Sequence, residues 1–317
     1  MKKIISIALA LCLLAALAGC GGAASSTPAT GAPAGDPAAS TPAGSAPSEG
    51  GSYTVGICQL VQHDALDAAT QGFKDALKEA LGDAVTFEEG NASGDASTCT
   101  TIVNGFVSDG VDLILANATA PLQAAAAATS DIPVLGTSVT DYATALEITG
   151  WTGTVGGNIS GTSDLAPLDQ QAQMLHDMFP DAEKVGLIYC SGEPNSVYQI
   201  DVVEKALQDL GYTCERFAFT DSNDIGSVVQ SACDASDVLY VPTDNTAANN
   251  TEAIANVVIP AKVPVIAGEE GICGGCGVAT LSISYYDIGY TTGQMAARIL
   301  TGEADISAMP IEYAPQV

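Results

Sequence analysis

From Tyr53 onward the apolar positions fall into short runs that switch between two periods. Tyr53–Gln59 reads as a strand. His63–Leu81 reads as a helix, because Leu66, Ala69, Phe73, Leu77 and Ala80 recur at three- and four-residue intervals. Ala84–Glu88 reads as a strand, and Asp95–Val107 as a helix capped by Asp95 and closed by Asp109-Gly110. Val111–Ala116 and Ile132–Gly136 are continuous apolar runs, the pattern of parallel strands buried on both faces, with the Ala-rich helix Pro121–Thr129 between them. The pattern then restarts. Helices are predicted over Gln170–Met178, Val197–Leu210, Ile225–Ala232 and Thr246–Val257. The strands between them are Lys184–Tyr189, Thr213–Phe219, Val238–Val241 and Val263–Ala267, and a last helix covers Asp287–Leu300. Repeated βα units predict an α/β chain with two doubly wound parallel-sheet lobes, one ending near Gly161 and the other near Ser284.

The first fifty residues follow different rules. Lys2 and Lys3 precede an almost wholly apolar stretch, Ile4–Leu17, and Leu17-Ala18-Gly19-Cys20 follows. That is the layout of a secretory signal, too short for a stable membrane span, with small residues before a cysteine as a lipoprotein peptidase requires. The expectation is removal of residues 1–19 and acylation of Cys20. Residues 20–52 then supply the lipidated cysteine and a disordered tether of Gly, Ala, Ser, Thr and Pro with only Asp36 and Glu49 charged. Several acyl chains on one thioether hold a membrane stably where one would not.

Charge narrows the partners. The formal net charge is −28, from 37 acidic and 9 basic side chains, two of which leave with the signal. A nucleic-acid partner needs a basic face, and this chain has none to offer. Of the nine cysteines, Cys273-Gly274-Gly275-Cys276 forms the one CxxC. It lacks the second pair that a zinc ribbon needs, and it reads as a loop rather than the helix start of a redox motif.

Two similar α/β lobes with a trailing helix resemble the type I periplasmic-binding fold, which implies a ligand cleft between lobes and three chain crossovers. On that resemblance lobe 1 takes 53–161 plus about 286–306, and lobe 2 takes 162–285 plus about 307–317, with hinges near Gly161, Tyr285 and Ser307. The loops go further. His63-Asp64-Ala65-Leu66-Asp67, Asn91-Ala92-Ser93-Gly94-Asp95, Ala118-Thr119-Ala120-Pro121-Leu122, Asn158-Ile159-Ser160-Gly161, Gly192-Glu193-Pro194-Asn195-Ser196 and Val241-Pro242-Thr243-Asp244-Asn245 span the folded body. With them the chain resembles the ABC-transporter substrate-binding lipoproteins whose better-known members bind tryptophan or phenylalanine. The resemblance implies a small amino-acid ligand with an aromatic side chain, ABC permease and ATPase subunits as partners, a lipid anchor as the sole membrane contact, and no cofactor or metal.

Open α/β sheets bind ligands beyond the carboxyl ends of their strands, so the polar residues there are the candidates. Neutral donors for a carboxylate are Thr119, Ser138, Thr140, Asn195 and Ser196, helped by helix N-termini; helix capping alone would also explain several of them. An ammonium needs a carboxylate, and Asp244 ranks first, beside Asn245, with Asp141, Glu193 and Glu269 behind it. Gln59, His63, Leu66, Asn91 and Tyr285 complete the expected cleft wall, and Trp151 is either a stacking ring or core. No GxSxG or HExxH occurs, and His63 and His176 are the only histidines, so nothing points to an enzyme. A sugar or nucleoside ligand, or a ligand-sensing role without transport, remain the alternatives, since fold alone does not fix ligand class.

Overall fold

The computed structural model describes residues 51–313. The signal, Cys20 and most of the tether lie outside that range. Among the described residues no helix is long and apolar enough to cross a membrane.

The first lobe is built from β1 (Tyr53–Gln59), α1 (Asp64–Leu81), β2 (Val85–Asn91), α2 (Ala96–Asp109), β3 (Leu113–Asn117), α3 (Thr119–Ala128), β4 (Val134–Val139), α4 (Tyr142–Ala145) and β5 (Ile159–Ser163). The second contains α5 (Leu168–Met178), β6 (Lys184–Cys190), α6 (Pro194–Asp209), β7 (Thr213–Phe219), α7 (Ile225–Ala235), β8 (Val238–Val241), α8 (Asn245–Ala248), α9 (Thr251–Ala261), β9 (Val265–Ala267), α10 (Glu270–Cys276) and β10 (Ala279–Thr280). The chain then returns as α11 (Tyr285–Leu300) and β11 (Glu312–Tyr313). Both sheets are parallel, ordered β2-β1-β3-β4-β5-β11 and β7-β6-β8-β9-β10. Each buries apolar side chains on both faces. In the first sheet Ile114, Val134 and Phe106 pack on one side, and Ile57, Leu113 and Met295 on the other. The second sheet divides in the same way.

Three expectations are corrected. The CxxC lies in a helix, α10, whose start Glu269 caps, and not in a loop. The predicted helix Thr246–Val257 is two, because Asn249 and Asn250 end α8 before α9 begins. The third concerns the end of the chain. Residues near Ser307 do not cross to the second lobe: Ile306 and Met309 bury in the first lobe's core, and Glu312–Tyr313 pairs with β5. The described chain therefore passes between the sheets twice, at 164–167 and 281–284.

Strand β5, Ile-Ser-Gly-Thr-Ser, carries almost no hydrophobic signal, yet all five residues are buried. Its hydroxyls are satisfied internally. Ser160 Oγ donates to the Met309 carbonyl, Ser163 Oγ donates to the Thr140 carbonyl, and Thr162 Oγ1 lies 2.8 Å from Thr292 Oγ1. Gly161 has φ +147°, and a Cβ there would overlap the Gly136 carbonyl and the Tyr142 hydroxyl. Helix α11 belongs to the first lobe, where Gly72 and Gly289 let it lie against α1 backbone to backbone.

Candidate functional site

Register brings the carboxyl ends of the first sheet level. Gln59 pairs with Asn91 and with Asn117, and Asn117 pairs with Thr137. Just beyond this edge the backbone is strained at two non-glycine residues, Ala118 (φ +99°) and Ser138 (φ +55°). Such conformations cost of order 1–3 kcal/mol each and persist where surrounding structure holds them, often at binding sites. Ser138 is buried, and its hydroxyl has no hydrogen-bond partner.

The second lobe meets this edge with a polar brace. Asp244 caps α8 through Ala247 N–H (2.8 Å), and its other oxygen accepts from Cys190 N–H (2.6 Å). Glu193 accepts from Asn245 N–H and Nδ2, from Thr246 N–H and Oγ1, and from Asn195 Nδ2. Burial, and then the Glu193 charge, push the Asp244 carboxyl up to about 7. Glu269 spends its oxygens on Gly271 and Ile272 N–H at the start of α10, and burial raises its carboxyl too. Asp141 caps α4 through Thr144 N–H.

One carboxylate is not spent in this way. Asp164, at the first crossing, is 4% exposed; Oδ2 accepts from the Tyr285 hydroxyl at 2.9 Å, and Oδ1 has no partner. Burial raises its carboxyl above the usual range, against the neighbouring Thr140 and Tyr285 hydroxyls, which lower it. Among the described residues no cation contacts it, and Oδ1 has no partner. Asp164 lines a small cavity together with His63, Leu66, Ser138, Thr243 and Tyr285, and the Asn195, Asp244, Asn245 and Glu269 side also borders it. Thr243 Oγ1 is a third buried polar atom there without a partner. The enclosed space is about 10 Å³, that of one water-sized sphere. A larger groove, about 700 Å³, lies behind the second crossing, but Asp64, Glu269, Glu270 and Asp287 wall it and no unpaired buried carboxylate faces it.

The small cavity is closed by contacts from lobe to lobe. His63 Nε2 lies 3.2 Å from Asn245 Oδ1, and Gln199 Nε2 donates to Thr140 Oγ1 at 3.4 Å. Desolvation lowers the His63 pKa, against the Asn245 contact and the nearby acids, which raise it.

Of the candidates read from sequence, His63, Leu66, Ser138, Asn195, Asp244, Asn245, Glu269 and Tyr285 meet at this cavity. Thr140, Glu193 and Ser196 stand behind it: Ser196 Oγ accepts from Asn195 Nδ2, and Asn195 also donates to the Thr243 carbonyl. Gln59 is buried under the loop it supports, donating to the Val61 carbonyl and to Asp67 and accepting from Thr70. Thr119 is buried at the start of α3, outside the cavity lining. Asn91 is exposed and accepts from Ser93 N–H in its own turn. Asp141 and Trp151 are also away from the cavity, and Trp151 packs on the first lobe's core. Asp164 and Thr243 were missed. Asp164 follows a strand that the hydrophobic pattern did not reveal, so its strand-end position was not legible. Thr243 lies in the Val241–Asn245 loop, where its acidic neighbour carries the stronger sequence signal.

The chain belongs to the ABC transporter substrate-binding protein family, which it matches over residues 54–314. It is the substrate-binding component of an ABC transporter system, an extracytoplasmic solute-binding protein and not an enzyme. A tyrosine-binding protein of Clostridioides difficile (strain R20291) is 36% identical over 253 residues, covering 79% of this chain and 73% of that protein. A Streptococcus pneumonia ABC domain solved in complex with L-Trp superposes with a TM-score of 0.80 at 30% identity, covering 84% of this chain and 90% of that one. The ligand-free, open structure of a substrate-binding protein with adhesive properties from Clostridium difficile gives 0.63 at 36% identity, covering 83% and 89%. The His63–Asn245 and Gln199–Thr140 contacts across the cleft make this chain closed.

Proposed function

We propose that the protein captures one free aromatic amino acid between its lobes and passes it to the permease and ATPase subunits of an importer. Asp164 takes the ammonium. The observation that carries this reading is a buried carboxylate oxygen with no partner and no cation near it. An ionised buried group is costly unless paired, and a ligand ammonium is the pair that this position lacks. Ser138 and Thr243, with free buried hydroxyls beside it, supply neutral donors for the ligand carboxylate. Asp244, the leading candidate from sequence, serves instead to hold the rim of the second lobe, since both its oxygens are engaged.

The tyrosine- and tryptophan-binding relatives support an aromatic side chain, with His63 and Leu66 as cleft walls. The cavity as it stands is too small for such a ligand, so entry requires the lobes to part at 164–167 and 281–284. Closure then depends on contacts the ligand makes with both lobes at once. After removal of residues 1–19, Cys20 carries the lipid that keeps the protein at the outer face of the plasma membrane. A thermal-shift screen against the twenty amino acids, common sugars and nucleosides tests the ligand class. Tyrosine, tryptophan or phenylalanine should raise the melting temperature by mass action, about 2.7 kcal/mol at a hundredfold excess over Kd. Stabilisation by a sugar or nucleoside and by no amino acid would refute it.

A further inference from the structure

The small cavity at Asp164 has no room for a ligand side chain, and three larger spaces border it. The groove behind the second crossing shares Glu269 and Tyr285 with it. Residues 281–284 line that groove, and this hinge segment stays in place when the lobes part, so a ligand entering between the lobes does not reach it. A second space, about 220 Å³, shares His63, Ala248 and Glu269, but its remaining wall is mostly polar: Gln62, Asp64, Asn249 and Thr251. The third is a groove of about 350 Å³ at the cleft mouth, to which both lobes contribute. It meets the cavity at Asn245. The Asn245 side chain stands between the two. Its Oδ1 lies 3.2 Å from Nε2 of His63, a cavity residue, and its Nδ2 donates at 2.7 Å to Oε2 of Glu193, a groove residue.

This mouth groove has two unlike walls. The first lobe supplies an apolar face, Leu60 and Val61 just after β1 and Ala96 and Ala120 at the starts of α2 and α3. The rest is hydroxyls, amides and acids. Asp95, Glu193 and Asp221 are its charged residues, and among the described residues no Lys or Arg lines it. Glu193 is engaged at the start of α8. Asp95 and Asp221 use only Oδ1 among the described residues, Asp95 with Ser97 and Thr98 and Asp221 with Asn223, which leaves each Oδ2 to accept.

We propose that the mouth groove holds the side chain of the bound amino acid, selects a ring that carries a hydrogen-bond donor, tyrosine or tryptophan over phenylalanine, and rejects an anionic one. This rests on the reading that Asp164 takes the ammonium. With the ligand's charged groups at Asp164, Ser138 and Thr243, its side chain passes Asn245 while the lobes are apart and lies along the Leu60–Val61 wall when they close. The volume falls within the roughly 300–1,000 Å³ of small-molecule pockets. A ring buries its apolar face on that wall, and its phenol O–H or indole N–H meets carboxylate oxygens, the stronger acceptors. A ring carboxylate meets three like charges. Exposure sets the size of the preference. Fully buried polar groups can reject a ligand that lacks their partner by a factor on the order of 10⁴. Asp95 and Asp221 are exposed, so water satisfies them when no donor arrives, and the preference should be about tenfold.

Calorimetric titration of the full chain with matched pairs tests this. Tyrosine is compared with phenylalanine, and tryptophan with 1-methyltryptophan, each pair differing in the donor on the ring. In each pair that binds, the donor-bearing member should be tighter by about tenfold. The anionic ring of 4-carboxyphenylalanine should bind more weakly than phenylalanine. Ala96→Phe fills the groove from an exposed helix position outside the cavity. It should weaken binding of the free amino acid while leaving the ligand-free melting temperature unchanged. Equal affinities within the pairs, or full affinity in Ala96→Phe, would overturn the groove assignment. The amino-acid reading would still stand in that case if Asp164→Asn abolishes binding. Failure of all these amino acids to bind would overturn both.

Discussion

The Tyr285 hydroxyl donates to Asp164 Oδ2 at 2.9 Å, joining the two segments through which the chain passes between its lobes. Asp164 sits at the first crossing and Tyr285 at the second, so one hydrogen bond spans both hinge strands. The remaining oxygen of Asp164 is buried and unpartnered at the closed cavity. On the proposed reading hinge and binding group are the same residue, and a ligand ammonium at Asp164 acts directly on both crossings.

Asp164→Asn should abolish this coupling. Loss of the partner for a buried ammonium is worth on the order of 3–5 kcal/mol, a fall in affinity of roughly a hundredfold or more. Stability should move the other way. Burial raises the folded-state pKa of Asp164 above its unfolded value. Its favourable contribution is therefore complete below the ordinary carboxylate range and is lost as pH rises through the raised value. At neutral pH the ligand-free parent bears that cost, and the amide does not. The variant should melt at or above the parent at pH 7.5, with the gain shrinking towards acid. A variant that binds as tightly as the parent would remove Asp164 from the site.

Tyr285→Phe tests the bond between the crossings. The hydroxyl lowers the Asp164 pKa, so removing it should weaken ligand binding about tenfold, the worth of one hydrogen bond to a charged group at the low end. Binding isotherms taken at falling pH should show the affinity loss growing towards acid, where the more basic carboxyl protonates first. Unchanged affinity throughout would leave Tyr285 a packing residue.

The second-lobe brace predicts a pH slope of its own. Asp244 is pushed up to about 7 by burial and by Glu193. Its contribution to stability is complete below the usual carboxylate range and lost as pH rises through about 7. The ligand-free protein should therefore melt progressively lower from pH 5 to pH 8. Glu193→Gln removes the like charge as well as an acceptor. Its melting temperature should be lower throughout but flatter across that window, and an unaltered slope would contradict the pairing.

How much of this was legible beforehand depended on the residues carrying it. Val111–Ala116 and Val238–Val241 announced buried parallel strands because apolar side chains filled both faces. β5 did not, because its Ser and Thr hydroxyls are buried by pairing with Thr137, Thr140, Thr292 and the Met309 carbonyl, none of which is near in sequence. The miss propagated: without β5, Asp164 was one acid among 37. Asp244 was found for the right position, the end of a strand, but local spacing cannot reveal that the Cys190 N–H would occupy its second oxygen from another strand. The short helix α4 escaped for a similar reason, since Tyr142 is buried through the gap that Gly136 and Gly161 leave.

Gly161 offers a test of that packing. Gly161→Ala combines an unfavourable φ with overlap onto the Gly136 carbonyl, and should cost about 2–4 kcal/mol. Gly157→Ala also sits at positive φ but meets nothing within 4 Å, and should cost about 1 kcal/mol. Denaturant midpoints that show equal losses would mean the close approach of β4, β5 and Tyr142 is less tight than described.

Cys20→Ser addresses the anchor. Fractionation of cells should find the variant released or retained as a full-length precursor, with ligand binding intact. Processed protein that stays in the membrane fraction would contradict lipidation at Cys20.

Calorimetric titration tests the central claim most directly. The ligands are tyrosine and tryptophan, each compared with its amide, which lacks the carboxylate, and its decarboxylated amine. The account predicts saturable one-to-one binding of at least one free amino acid, weakened a hundredfold or more in the amide and the amine, and lost in Asp164→Asn. Equal binding of the amine and the amino acid, or tight binding undisturbed by Asp164→Asn, would contradict it.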